Sequence, residues 1–131
     1  MHYLLLIYES DEAFGERTGA SDSEFWGAWH SYTQALLDSG VYIGGRPLEP
    51  PDSAATVRVE AGRRMVHDGP FAETKEQLGG FILLDTGTLE EALDWAARCP
   101  AARYAGVEVR PISPSVEQRL FGESPAGDAG S

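Results

Sequence analysis

The sequence predicts a single α+β domain on three observations: two helical stripes each open on a capping box, short apolar strands flank each of them, and a hairpin pattern separates the two halves. At 131 residues the chain suits one core, because a domain of this size buries roughly two thirds of the surface its unfolded chain exposes.

The elements follow in order. Tyr3-Leu4-Leu5-Leu6-Ile7-Tyr8 is a continuous apolar run with aromatic ends and reads as a strand buried on both faces. Glu9 to Ala20 mixes acidic residues, glycines and Phe14 without a sustained period, and reads as a long connecting loop. Ser21 and Glu24 have capping-box spacing, Phe25, Trp29, Tyr32 and Leu36 form the stripe of the first helix, and Ser39-Gly40 ends it. Val41 to Arg46 is a second strand, in which Gly44-Gly45 marks a bulge or the close approach of another backbone or a ligand. Thr56 to Glu60 and Arg64 to His67 alternate on either side of Ala61-Gly62, as a hairpin with one solvated face does. Gly79 to Asp85 is another buried strand, and Thr88 to Glu91 repeats the capping box. Leu89, Ala92, Leu93, Ala96 and Ala97 line the second helix, which Pro100 ends. Gly106 to Pro111 is the last strand, with Val107 and Val109 on one face. Residues 1–112 are therefore expected to form the domain and 113–131 a flexible tail, the alternative being that Val116, Leu120 and Phe121 make a short docked helix.

The order β-α-β, hairpin, β-α-β suits a ferredoxin-like plan: an antiparallel four-stranded sheet with two helices on one face. The other face then needs cover, which two copies stacking sheet on sheet would supply.

A net charge of −11 repels phosphate backbones and anionic membrane surfaces, so neither nucleic acid nor membrane is an expected partner. The single cysteine, Cys99, forms no internal bridge, which fits a reducing, cytoplasmic setting. No run approaches the roughly eighteen apolar residues of a membrane span, and neither signal peptide nor anchor is expected.

The densest polar constellation is His67-Asp68-Gly69-Pro70-Phe71-Ala72-Glu73-Thr74-Lys75-Glu76. Asp68 before Gly69-Pro70 is a turn former whose carboxylate can accept backbone amides. The same residue, with His67, Glu73, Lys75 and Glu76 nearby, also reads as an acid-base site, because clustered charges shift one another's proton affinities. His30, one turn after Trp26, is a second candidate if it points into a cleft, and otherwise a boundary residue. Arg46, after the glycine pair, would hold a carboxylate ligand or pair with Asp68 or Glu73. No spacing of histidines or cysteines suggests a metal, no glycine pair opens a helix that would cradle phosphate, and no cofactor is expected. Cys99 reads as packing.

The run Asp68-Gly69-Pro70-Phe71-Ala72-Glu73-Thr74-Lys75-Glu76-Gln77-Leu78-Gly79-Gly80 closely resembles the signature of the DGPF-type proteins in the YCII-related family. The resemblance extends from Met1 to Ile112, through Tyr3 to Tyr8, Ser39-Gly40-Val41, Ala101 to Tyr104 and Val107 to Pro111. It implies a ferredoxin-like fold that dimerises into an α/β barrel. It further implies kinship with small-molecule enzymes in which a histidine and an aspartate are proposed as catalytic, one branch being dehydrochlorinases of muconate-type compounds. Asp68 is the residue that carries over. DGPF-type relatives are often encoded beside extracytoplasmic-function sigma factors, which implies a signalling partner as the other possibility.

Three readings stand at this level. The first is a cofactor-free lyase- or isomerase-like enzyme, in which Asp68, His67 or His30 moves a proton while Arg46, Glu73 and Lys75 hold a small organic acid. The second is a non-enzymatic sensor module, and the third a domain that only supports assembly.

Overall fold

Residues 1–122 are described by the structure, a computed structural model. The first strand, β1 (His2–Ser10), alternates: Tyr3, Leu5, Ile7 and Glu9 are buried, whereas Leu4, Leu6 and Tyr8 are half-buried. The expected burial on both faces thus holds for one face only within a single chain. Ser10 then caps a helix, α1 (Asp11–Glu16), by accepting the Ala13 N–H at 3.2 Å. This corrects the loop reading of residues 9–20, because a six-residue helix is too short to display a period. Ala13 and Phe14 anchor it in the core.

The long helix α2 (Glu24–Ser39) is capped by Ser23, which accepts the Trp26 N–H, and not by Ser21. Tyr32 and Leu36 are its buried residues, and the Tyr32 hydroxyl donates to the Trp95 carbonyl at 2.8 Å. Gly40 ends it in the left-handed region at φ 81. Strand β2 (Tyr42–Pro47) bulges at Ile43 and lies so close to its neighbour that a Cβ on Gly45 would sit 2.5 Å from the Phe81 carbonyl oxygen. That contact explains Gly45.

Strands β3 (Ala55–Glu60) and β4 (Arg63–Asp68) form a separate two-stranded sheet that turns at Ala61 and Gly62, both with positive φ. Both of its faces are exposed, where one solvated face is expected from the sequence. Strand β5 (Glu76–Asp85) is followed by α3 (Leu89–Arg98), whose Thr88 cap accepts the Glu91 N–H as the capping box requires. A four-residue helix, α4 (Ala101–Tyr104), and strand β6 (Gly106–Pro111) follow, and then α5 (Pro114–Phe121). Val116, Leu120 and Phe121 of α5 are exposed, so the helix forms without docking through them. The rest of the expected tail, 123–131, lies outside the described residues.

The main sheet runs β2-β5-β1-β6 with every neighbouring pair antiparallel. The chain is a mixed α+β protein. Leu5 and Ile7 of β1 and Ile82 and Leu84 of β5 meet Tyr32 and Leu36 of α2 and Ala96 of α3 in one core cluster, so both long helices cover the same sheet face. The far face carries Leu4 opposite Leu83 and Leu6 opposite Phe81, all half-exposed. Among the described residues no helix is long and apolar enough to cross a membrane.

Candidate functional site

The polar segment leaving β4 is shaped by bonds that Asp68 does not make. Gly69, at φ 120, donates its N–H to the Ala54 carbonyl at 2.7 Å, and the Thr56 hydroxyl donates to the Gly69 carbonyl at 2.9 Å. Both anchors come from the start of β3, so the turn is held without a side chain of its own. Among the described residues the carboxylates of Asp68 and Glu73 have no hydrogen-bond or ion-pair partner. The loop beyond is pinned by Gln77, whose amide donates to the carbonyls of Ala72 at 3.1 Å and Thr74 at 2.9 Å.

Two cavities flank this segment. A groove of about 620 Å³ is walled by Asp11 and Phe14 of α1, by Pro50, Pro51 and Asp52, and by Asp68, Glu73, Thr74 and Gln77. A second cavity of about 540 Å³, at the edge where β1, β5 and β6 meet, is lined by Tyr8, Thr74, Lys75, Glu76 and Glu108. Thr74 faces both. Four carboxylates and no cationic side chain line the groove, so its field excludes small anions. Among the described residues no group of three or more His, Cys, Asp and Glu side chains is placed to hold a metal ion.

A buried ion pair fixes the walls relative to one another. Glu9, 4% exposed, pairs with Arg17 at 3.1 Å. Arg17 also donates to the carbonyls of Gly79, at 3.0 Å, and Leu48. One guanidinium therefore ties the residue that follows α1 to the end of β1, the start of β5 and the segment after β2, using its planar fork to satisfy a buried carboxylate and two carbonyls together. Gly79 lets the Glu9 side chain lie close against β5, since a Cβ there would be 3.0 Å from its carboxyl group and would have to displace it. Tyr104 donates to the other Glu9 oxygen at 3.5 Å, and burial pushes its phenol up to about 12. Cys99, 1% exposed, has its thiol pushed by burial up to about 11, which makes it a packed neutral group and no nucleophile.

The residues expected from sequence divide accordingly. Asp68 and Glu73 share the groove, while Lys75 belongs to the second cavity. His67 is exposed on β4 and lines neither cavity. His30 does not point into a cleft: it is exposed on α2, stacked on Trp26 with ring centroids 5.8 Å apart. Arg46 pairs with neither Asp68 nor Glu73; it is exposed on β2 and donates to the Gly45 carbonyl beside it. Sequence reasoning missed Glu9, Arg17 and Gln77. Glu9 carried a usable signal, since a carboxylate two residues beyond Ile7 continues the buried phase of the strand.

Fold and site define a small α+β domain with a carboxylate-lined groove at one sheet edge. The chain belongs to the YCII-related family: residues 1–115 match its model, the YCII-related domain. A relative from Rhizobium meliloti (strain 1021), uncharacterized protein R00369, is 36% identical over 115 residues, spanning 86% of this chain and 93% of the relative. Among solved structures, the chain is similar at 15% identity and a TM-score of 0.49 to the 5-chloro-2-hydroxyhydroquinone dehydrochlorinase TftG of Burkholderia phenoliruptrix AC1100, in complex with 2,5-dihydroxybenzoquinone, covering 86% of this chain and 94% of that one.

Proposed function

We propose that the chain is a ferredoxin-like protein that assembles as a homodimer and binds a small organic molecule in the groove beside Asp68, where that carboxylate takes or returns a proton. One observation carries this reading: Asp68 stands at a turn that would ordinarily consume its oxygens, yet Ala54 and Thr56 hold the turn and leave the carboxylate lining a cavity. A general base needs this, an oxygen not committed elsewhere that can come within about 3 Å of the atom whose proton it takes. Proton abstraction followed by elimination or isomerisation requires no cofactor, and Glu73 is a second carboxylate on the same groove.

The charge of the groove selects a neutral or cationic molecule there. Lys75, which has no ion-pair partner among the described residues, lines the second cavity together with Glu76 and Glu108, so neither cavity favours an organic acid by its charge. The strand order β2-β5-β1-β6 supports the ferredoxin-like plan, and the half-exposed far face of Leu4, Leu6, Phe81 and Leu83 supports stacking of a second copy against it.

The test is a thermal-shift screen of neutral, cationic and acidic small molecules against the full chain and Asp68→Asn, which keeps the side chain's shape and removes its charge. A compound bound by the fold raises the melting temperature. The expected result is a shift of several degrees that Asp68→Asn abolishes while its own melting temperature stays within about 2 °C of the parent. A shift that survives the substitution overturns the assignment. Binding that depends on Asp68 without turnover of any ligand found selects the sensor reading over the enzyme.

A further inference from the structure

The β3–β4 hairpin forms its own two-stranded sheet, apart from the main one. Every residue of its two strands is exposed except Thr56. Isolated two-stranded hairpins are at best marginally stable in water. The cross-strand register sorts its side chains: Val57, Val59, Val66 and Arg64 share one face, and Arg58, Met65, Arg63 and His67 the other. The second face is partly shielded within the chain by Phe71, whose ring lies 4.9 Å below the Arg58 guanidinium. The valine face has no such cover, with Val57, Val59 and Val66 at 60%, 70% and 51% exposure.

We propose that this hairpin is an exchanged arm: its valine face lies on a second copy of the chain, and its tip places the partner's Arg64 in the acidic groove beside Asp68. The inference rests on the homodimer proposed above and deepens it, by naming which element crosses and what it delivers. Charge complementarity singles out a second copy as the occupant. The tip carries Arg63, opposite Glu60, and Arg64, whose cross-strand neighbour is Val59, whereas Asp11, Asp52, Asp68 and Glu73 line a groove without a cation of its own. Arg64 has no hydrogen-bond or ion-pair partner among the described residues. Reach is adequate: six-residue strands make an arm of about 20 Å, which exceeds the radius of gyration of about 14 Å expected of a domain this size. A two-fold axis would pair each arm with the opposite groove, so both sites are completed at once.

Sedimentation equilibrium of the full chain, Arg64→Glu, and Arg64→Glu with Asp52→Arg tests this, with circular dichroism checking that each variant folds. The expected result is a parent dimer, a dissociation constant raised tenfold or more by Arg64→Glu, and recovery to within threefold of the parent when both charges are reversed. A dimer indifferent to Arg64→Glu, or one weakened by it and not rescued by Asp52→Arg, overturns the arm while leaving the homodimer standing. A parent that stays monomeric at every concentration overturns both and leaves the hairpin to some other partner.

Discussion

At the scale of single residues, what matters is which polar atoms are already spoken for. Asp68 and Cys99 are opposite cases. Asp68 is a reactive type at a position that leaves it free, and Cys99 a reactive type whose burial keeps it protonated. The consequence for Cys99 has a definite sign. Its thiol titrates near 9.0 when unfolded and at about 11 in the fold, so the folded state holds the proton more tightly. Below pH 9 both states are protonated and the thiol leaves stability unchanged; between about 9 and 11 the unfolded chain alone ionises and stability falls. The melting temperature of the parent is therefore expected to drop more steeply across that window than that of Cys99→Ala. Parallel profiles of the two proteins would contradict this. Asp68 was legible in the sequence as a residue type at a turn, but its freedom was not, because the groups that relieve it sit at Ala54 and Thr56, twelve or more positions away.

At the scale of elements, the apolar stripes made the two long helices readable, though the capping box located the start of the second alone, the first being capped by Ser23 and not Ser21; the alternation of Val57, Val59 and Val66 made the hairpin readable. Helix α1 was not. It has one side-chain cap and two buried residues, and its place is secured by Arg17, whose bonds to Gly79 and Leu48 span 62 and 31 positions. Nothing local announces such a contact. Replacing that arginine tests its role directly. Arg17→Met strands the Glu9 carboxylate in the interior, and removing one partner of a buried pair costs about 3 kcal/mol or more. Urea denaturation is expected to show a loss of that size, with Arg17→Lys between the variant and the parent because it keeps the charge and loses the fork. Equal stability of Arg17→Met and the parent would mean that this pair does not hold the fold together.

At the scale of the molecule, the order of elements was sufficient to anticipate an antiparallel sheet with its long helices on one face, since that follows from periodicity and connection lengths. The acidic groove was not anticipated as a shape, because its walls come from α1, from the Pro50–Asp52 turn and from the loop before β5. The uncovered far face sets the expectation here. Leu6→Asp puts a charge at the middle of the apolar patch formed with Phe81, Leu4 and Leu83. Multi-angle light scattering is expected to report a folded monomer for this variant where the parent elutes as a dimer. An unchanged dimer would move the interface away from the sheet.

Thr74 has a consequence of its own. It borders both the groove and the cavity beside Lys75, so wherever that side chain moves, both outlines change together.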